Sequence, residues 1–340
     1  MGVHMSPYGL TTARIRNSPG TYSFGGMLAL LIALYAGACI AEYPERPIRV
    51  VVPVPPGGAI DIVGRLFGQK MAEVFGQSVV IDNRGGANGI IGTDIVARAA
   101  PDGYTLLTTS GSHTINPSVY RKLPYDTLRD FAPISQLATT GGNVLVVHPS
   151  FAARSVQQLI ELARAHPGKF VYGSPGVGNL QHLAGEMFNA MAGVRLTHVP
   201  YKGAGPALND LLGGQIPIMF PSGANAIPLV KTGRLVGLAV TGPVRAPQLP
   251  DVPTMDEAGL KGYEVTGWFG LYAPARTPRG VVVRLHEAVR AALQSAEVRE
   301  RLAGFNYEPV GSSPDAFAAF LREDIARYAR VVKAAGIEPQ

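Results

Sequence analysis

Cysteine is nearly absent from this chain: Cys39 is the only one in 340 residues. A lone thiol forms no internal disulfide and supports no cysteine-rich metal site. If the segment around it is cleaved, no thiol remains for nucleophilic chemistry. Charge is scarce as well. Asp, Glu, Lys and Arg occupy 16% of positions, against about 25% in an average soluble domain. The net charge of +6 is spread thinly. No block of basic residues and no aromatic-basic stripe is present, which excludes the footprint of a nucleic-acid-binding surface.

Long apolar runs are missing too. The stretch MLALLIALYAGACIA, Met27 to Ala41, is shorter than the ~20 residues of a membrane-spanning helix but suits the core of a signal peptide. Arg14 and Arg16 precede it, and the first 41 residues contain no acid. The pattern predicts an exported protein whose leader, residues 1–41, is removed after Ala38 or Ala41, with Met5 as an alternative start. AGAC loosely matches a bacterial lipidation box, with Ala36 where Leu is usual. A cysteine discarded with the leader is the simpler reading than a lipid anchor at Cys39.

Several enzyme signatures are also absent. There is no G-x-x-x-x-G-K-[ST], no G-x-S-x-G and no S-x-x-K, and HEAVR at His286 lacks the second histidine of a zincin. GVGNLQ from Gly176 opens like a dinucleotide fingerprint, but Gln181 fills the third glycine position. Phosphoryl transfer, nicotinamide cofactors and metal-assisted hydrolysis have no foothold. We expect no cofactor and no metal.

What is present is alternation. Hydrophobic residues make up 46% of the chain, enough for two cores of ordinary domain size. Runs rich in β-branched residues (IRVVVPV, SVVIDN, YTLLTTS, NVLVVH, FVYGS, LTHVPY, IPIMFPS, LVGLAVTG, WFGLYAPA) alternate with stretches of helical period. This predicts an α/β protein with mostly parallel sheets. Thr254 and Glu257 fit a capping box opening a short helix that ends at Gly259. Ser313 caps the last helix, Gly336 ends it, and the lone Trp268 reads as core or hinge strand.

Two segments, RVVVPVPPGGAIDIVGRL and KFVYGSPGVGNLQHLAGEM, share one grammar: strand, proline-glycine loop, amphipathic helix. Their spacing is too wide for one βαβ unit of ~30 residues, so the reading is one such loop per domain. A helix N-terminus exposes unpaired amides and roughly half a positive charge. Two glycine loops facing each other across a cleft would seat the two ends of a small dicarboxylate. By itself either loop is equally well a tight turn. His182, just inside the second helix, either hydrogen-bonds a ligand or holds the loop, and Asp61 is better placed to brace its loop than to meet an anion. Thr109, Ser110 and Ser112, in TTSGSHTINPS with His113, offer neutral donors. A valine at Gly58 would fill the space an anion needs.

Taken in order, RPIRVVVPVPPGGAIDIVGRL, VVIDNRGGANGIIGTDIVARAAPDGYTLL, KLPYDTLRDFAPIS, HPGKFVYGSPGVGNLQHLAGEMF, HVPYKGAGPALNDLLGGQ and PDVPTMDEAGLKGYEVTGWFGLYAPARTP resemble the substrate-binding proteins of tripartite tricarboxylate transporters, the Bug receptors. The likeness runs from Tyr43 to Ile337. It implies a type II periplasmic binding protein fold: two α/β lobes joined by two crossover segments, closing on a small organic acid. Residues 42–143 and 265–340 would form one lobe and 144–264 the other. The ligand set it implies is Pro56, Gly57, Gly58, Ala59 and Asp61; Thr109, Ser110 and Ser112; Ser174, Gly176, Gly178, Asn179 and His182; and Tyr201. It also implies a monomeric, periplasmic receptor working with membrane transporter subunits or a sensor. A hydrolase or transferase using His182 is the alternative from another class. Pro55 and Asn179 depart from the family pattern, as do Pro217 and Pro221, where an aspartate is frequent. Without that aspartate the expected ligand carries no amino group.

Overall fold

The computed structural model describes residues 43–334 and 337–339. The leader, Cys39 and Gly336 lie outside the described residues.

In β1 (Ile48–Val52) the alternation of a strand buried on both faces is explicit. Ile48, Val50 and Val52 enter one apolar core while Val51 enters another on the opposite face. The chain then forms α1 (Ala59–Phe75), β2 (Val79–Asn83), a 3₁₀ turn (Ala87–Gly89), α2 (Ile90–Ala97), β3 (Thr105–Ser110), α3 (Ser112–Val119) and β4 (Phe131–Thr140). A second set follows: β5 (Val144–Val147), α4 (Val156–Ala165), β6 (Val171–Ser174), α5 (Leu180–Ala192), β7 (Thr197–Pro200), α6 (Ala204–Leu212), β8 (Ile218–Met219), α7 (Gly223–Lys231) and β9 (Val236–Val240). The chain returns through β10 (Trp268–Pro274), α8 (Arg279–Gln294), α9 (Ala296–Gly304), β11 (Tyr307–Pro309) and α10 (Pro314–Ala334).

These strands make two sheets and hence two lobes. The first has the order β11-β4-β10-β3-β1-β2 and the second β7-β6-β8-β5-β9. In the first lobe α1 and α8 cover one face, and Phe317 and Leu321 of α10 pack with Trp268 and Tyr272 of β10 on the other. In the second lobe β5 divides its side chains the same way, with Leu145 and Val147 on the α4 and α5 side and Val144 and Val146 on the α6 and α7 side.

The chain crosses between lobes twice, after β4 and before β10, and the two crossings are bonded together. Thr241 N–H donates to the Asn143 carbonyl at 2.8 Å and Asn143 N–H to Thr241 Oγ1 at 2.7 Å. Thr241 Oγ1 in turn donates to the Val265 carbonyl at 2.7 Å. Gly142, at φ +100°, lies against Gly242 so closely that a side chain at either position would collide with backbone.

Four expectations change here. The sheets are mixed, because β10 runs antiparallel to β3 and β4 and β5 runs antiparallel to β8 and β9; these strands flank the two crossings. β4 was not anticipated: FAPISQLATT contains Pro133 and four polar residues, and its centre is viable in the interior because the Ser135 hydroxyl donates to the Ser312 carbonyl and Ser312 Oγ accepts the Gln136 backbone amide. Helices α3 and α7 each contain a proline, Pro117 and Pro228, which reads as a break. Thr254 and Glu257 do exchange both capping-box bonds, at 2.8 and 3.1 Å, but on a turn and not on a helix.

Candidate functional site

Pro53, Pro55 and Pro56 have no N–H to continue a ladder, so β1 stops and the chain turns. Gly57 takes φ +85°, and α1 starts from Gly58, which makes no side-chain cap bond. Asp61 explains part of the turn. Its buried carboxylate accepts from Gly57 N–H at 2.9 Å and Asn83 Nδ2 at 2.9 Å, and pairs with Arg65 Nε at 3.0 Å. Burial pushes its pKa up, but the bonds from Arg65, Gly57 and Asn83 outweigh this and hold it below the usual carboxylate range. Asp61 therefore braces the loop, and it consumes the Gly57 amide. The amide of Ala59, at the positive end of α1, has no partner among the described residues, while that of Gly58 is turned back toward the Pro55 carbonyl across the Pro56–Gly57 turn.

The exit of β3 supplies neutral donors. Thr109 is buried and Ser110 and Ser112 are half-buried. None of their hydroxyls has a hydrogen-bond partner among the described residues. The stretch after Ser110 is not a loop: Ser112 opens α3, whose N-cap Gly111 makes no side-chain bond. His113 is turned inward among Tyr125, Phe131 and Tyr272. Burial pushes its pKa down to about 4, and it takes no part in the site.

The second glycine loop is more self-contained. Asn179 Oδ1 accepts from the amides of Gln181 and His182, both at 2.9 Å, and its Nδ2 donates to the Gly176 carbonyl at 2.6 Å. This caps α5 from within. His182 Nδ1 accepts the Gly178 amide at 3.2 Å, and its ring stacks on His198 with centroids 4.1 Å apart. Ser174 is fully buried, with Oγ 2.8 Å from the Gly176 carbonyl and 2.6 Å from His198 Nε2. When His198 carries its proton on Nε2, that ring donates to Ser174 and Ser174 donates to Gly176, so every group is satisfied.

Ser174 and the Gly178 amide are therefore occupied within the loop, whereas His182, accepting at Nδ1, carries its proton on Nε2, which is 3.9 Å from Glu186 Oε1 and keeps that donor uncommitted. Like Ser174, Tyr201 is occupied: its hydroxyl donates to Asp210 Oδ2 at 2.7 Å, and burial, then Asp210, pushes its pKa up to about 12. Burial lowers the pKa of His182, and burial with its neighbour His182 lowers that of His198 to about 3. Both rings are neutral at ordinary pH.

The two loop systems meet. A methyl added at Gly178 would stand 2.6 Å from Val119 Cγ2 of α3 and 3.5 Å from Asn88 Nδ2, and one added at Gly203 2.9 Å from Pro55 Cγ. Asn225 of α7 donates from Nδ2 to the Gly57 carbonyl at 3.2 Å. Asn88, at φ +50°, and Asn116 exchange amide bonds behind this contact, at 2.8 and 3.3 Å. Asn88 and Asn225 were not anticipated; only the positive-φ tolerance of Asn within RGGANG could have drawn attention to the first. A side chain at Gly58 would meet Val54 at 3.6 Å, inside its own loop, whereas one at Gly57 would meet nothing within 4 Å. Gly57, and not Gly58, is the glycine whose missing side chain leaves space open. Among the described residues no cluster of three or more His, Cys, Asp or Glu is placed to hold a metal.

Two α/β lobes tied by paired crossings, with a glycine-lined strand-to-helix loop from each brought face to face, define a type II periplasmic binding protein. Comparison with known proteins narrows the class. The description "Tripartite tricarboxylate transporter family receptor" matches residues 63–337, and the chain belongs to that family. It is 41% identical over 309 residues to the UPF0065 protein in the tcbD-tcbE intergenic region of a Pseudomonas species, covering 91% of this chain and 92% of that one. With the protein BugT of Bordetella pertussis it is 36% identical over 318 residues, covering 91% and 97%. Among solved structures, a Rhodopseudomonas palustris protein with adipate superimposes with TM-score 0.85 at 39% identity, covering 88% of this chain and 100% of that one. MatC of the same organism, with bound malate, superimposes with TM-score 0.81 at 34% identity, covering 85% and 100%.

Proposed function

We propose that this chain is an exported, monomeric periplasmic receptor that closes its lobes on a small dicarboxylate without an amino group, for uptake by transporter subunits in the membrane or for sensing. In this reading residues 1–41 are a leader, and residues 42–143 with 265–340 close against 144–264. The observation that carries it is the uncapped start of α1: the Ala59 amide has no partner, and the loop before it lies at the contact between lobes. Such amides favour an anion. The hydroxyls of Thr109, Ser110 and Ser112 are further donors that add no charge.

The adipate and malate held by similar proteins support a dicarboxylate. Pro221 adjoins Ser222 at the start of α7 and contributes no acid there to receive an ammonium group. Pro217 is at the far end of β8, its carbonyl bonded to His148 N–H at 3.0 Å, so only Pro221 bears on this point. An enzyme built on His182 is disfavoured because the Gly178 amide occupies its Nδ1 and the adjacent Ser174 hydroxyl is sealed from solvent.

A thermal-shift screen of mono-, di- and tricarboxylates, followed by calorimetry and product analysis, tests the reading. A ligand at about 100 times its Kd adds about 2.7 kcal/mol to stability, and this should be seen with dicarboxylates, without turnover. Tighter binding of aspartate or glutamate than of adipate, malate and succinate would remove the amino-group restriction. Stabilisation by no carboxylate, or conversion of one, would overturn the receptor itself.

A further inference from the structure

The first turn of α7 belongs to the second lobe by connectivity but is bound to the first. Ala224, 7% exposed, packs within the first lobe's core, and its amide donates to the Tyr307 hydroxyl at 3.5 Å. One residue further, Asn225 reaches the Gly57 carbonyl. Its amide cannot turn over freely, because Ser222 Oγ donates to Asn225 Oδ1 at 3.0 Å in place of capping the helix. With the oxygen so held, Nδ2 is directed to Gly57.

Gly57 is thereby gripped from two lobes, its N–H by Asp61 of its own and its carbonyl by Asn225 of the other. A glycine at positive φ with nothing near its missing side chain has wide rotational freedom. Asp61 holds the Pro56–Gly57 peptide and Asn225 the Gly57–Gly58 peptide, so together they fix both dihedral angles of Gly57 and the course of the chain into Gly58 and Ala59. We propose that Asn225 is a positioning residue for the carboxylate site: lobe closure brings its amide to the Gly57 carbonyl and fixes the first glycine loop in its binding geometry. Closure and site formation are then one event. The inference rests on the receptor reading for its ligand but not for its loop.

The test combines hydrogen exchange of the loop with binding kinetics in Asn225→Ala, Asn225→Asp and Ser222→Ala, using whichever of adipate, malate or succinate stabilises the wild type. Gln248→Ala, which removes another bond between lobes, from Gln248 Nε2 to the Ala303 carbonyl, is the control. Without ligand, exchange of the Gly57 amide, bonded to Asp61, and of the Ile62 amide, bonded to the Gly58 carbonyl, should rise about threefold or more in both Asn225 variants, less in Ser222→Ala and not in the control. The carboxylate off-rate should rise about three- to tenfold, the loss of one hydrogen bond, with little change in on-rate. Asp keeps the size of Asn and turns the donor into an acceptor, so it also serves if the alanine variant folds poorly. Unchanged loop exchange and off-rate in folded Asn225 variants of a carboxylate-binding wild type would overturn the proposal. Faster loop exchange in variants of a wild type that binds no carboxylate would uphold Asn225 as the loop's support and overturn the receptor reading alone.

Discussion

Gly57 carries more of the candidate site than its neighbour. Gly58 sits at φ −75°, open to any residue, and a side chain there would pack on Val54. Gly57 sits at φ +85° with open space where a side chain would be. Gly57→Val should weaken carboxylate binding by at least about a hundredfold while the strain of positive φ costs about 1–3 kcal/mol of stability. Gly58→Ala should change binding much less. Calorimetry on the two variants decides, and equal affinities would place the ligand elsewhere. The histidines make a second prediction at this scale. Burial holds His198 neutral down to about pH 3, whereas in the unfolded chain it takes up a proton near pH 6.5. The unfolded state then binds more protons than the folded one between these values, so stability is full above pH 6.5 and falls as the pH drops through that window. Each such histidine contributes a slope of up to about 1.4 kcal/mol per pH unit. His198→Phe, which keeps the stacking on His182 but cannot titrate, should flatten the slope by about one proton in urea denaturation between pH 6 and 4; an unchanged slope would place the acid sensitivity in other groups. The sequence shows these residue types but not their occupations. Ser174 is satisfied by a histidine 24 positions away and Asp61 by an asparagine 22 positions away, and pairings of that range are made only by the tertiary fold.

At the scale of elements, both glycine loops were legible because each combines strong signals: a β-branched strand, residues that cannot continue it, and a helix of clear period. Their difference was not. Asn179 caps α5 from within, while Gly58 leaves α1 bare, so the same grammar yields one finished helix start and one with an amide to offer. This asymmetry follows from a single side chain: the first helix start keeps an amide unbonded, while the second is closed by Asn179 and packed against Val119 and Asn88. Missed elements share a physical cause. In α3 and α7 a proline lies inside the helix, where packing offsets the lost bond. In β4 the Ser135 hydroxyl and the Gln136 backbone amide at the centre are both bonded to Ser312, about 176 residues away, and alternation alone cannot reveal such a partner.

For the whole molecule, the mixed sheet order follows from the double crossing, which no local pattern encodes, and the resemblance to a known family supplied what periodicity could not. The crossings are joined at Gly142, Gly242 and Thr241, which leaves the two lobes a narrow connection. This geometry bears on how a doubly charged ligand is held. Arg65, in the second turn of α1, is engaged with Asp61, and Lys202, beside Gly203, is exposed to solvent. If amides and hydroxyls enclosed between the lobes supply the attraction, it comes from fixed dipoles at contact distance and is screened little by salt; if Lys202 supplies it, the charge is outside and is screened within about 10 Å at moderate ionic strength. Raising NaCl from about 50 to about 500 mM should therefore alter the Kd for a dicarboxylate by less than about threefold. Lys202→Gln should behave the same way. A tenfold loss in high salt that the Lys202 variant no longer shows would transfer the ligand's charge from the main chain to that lysine, and with it the reason for the bare start of α1.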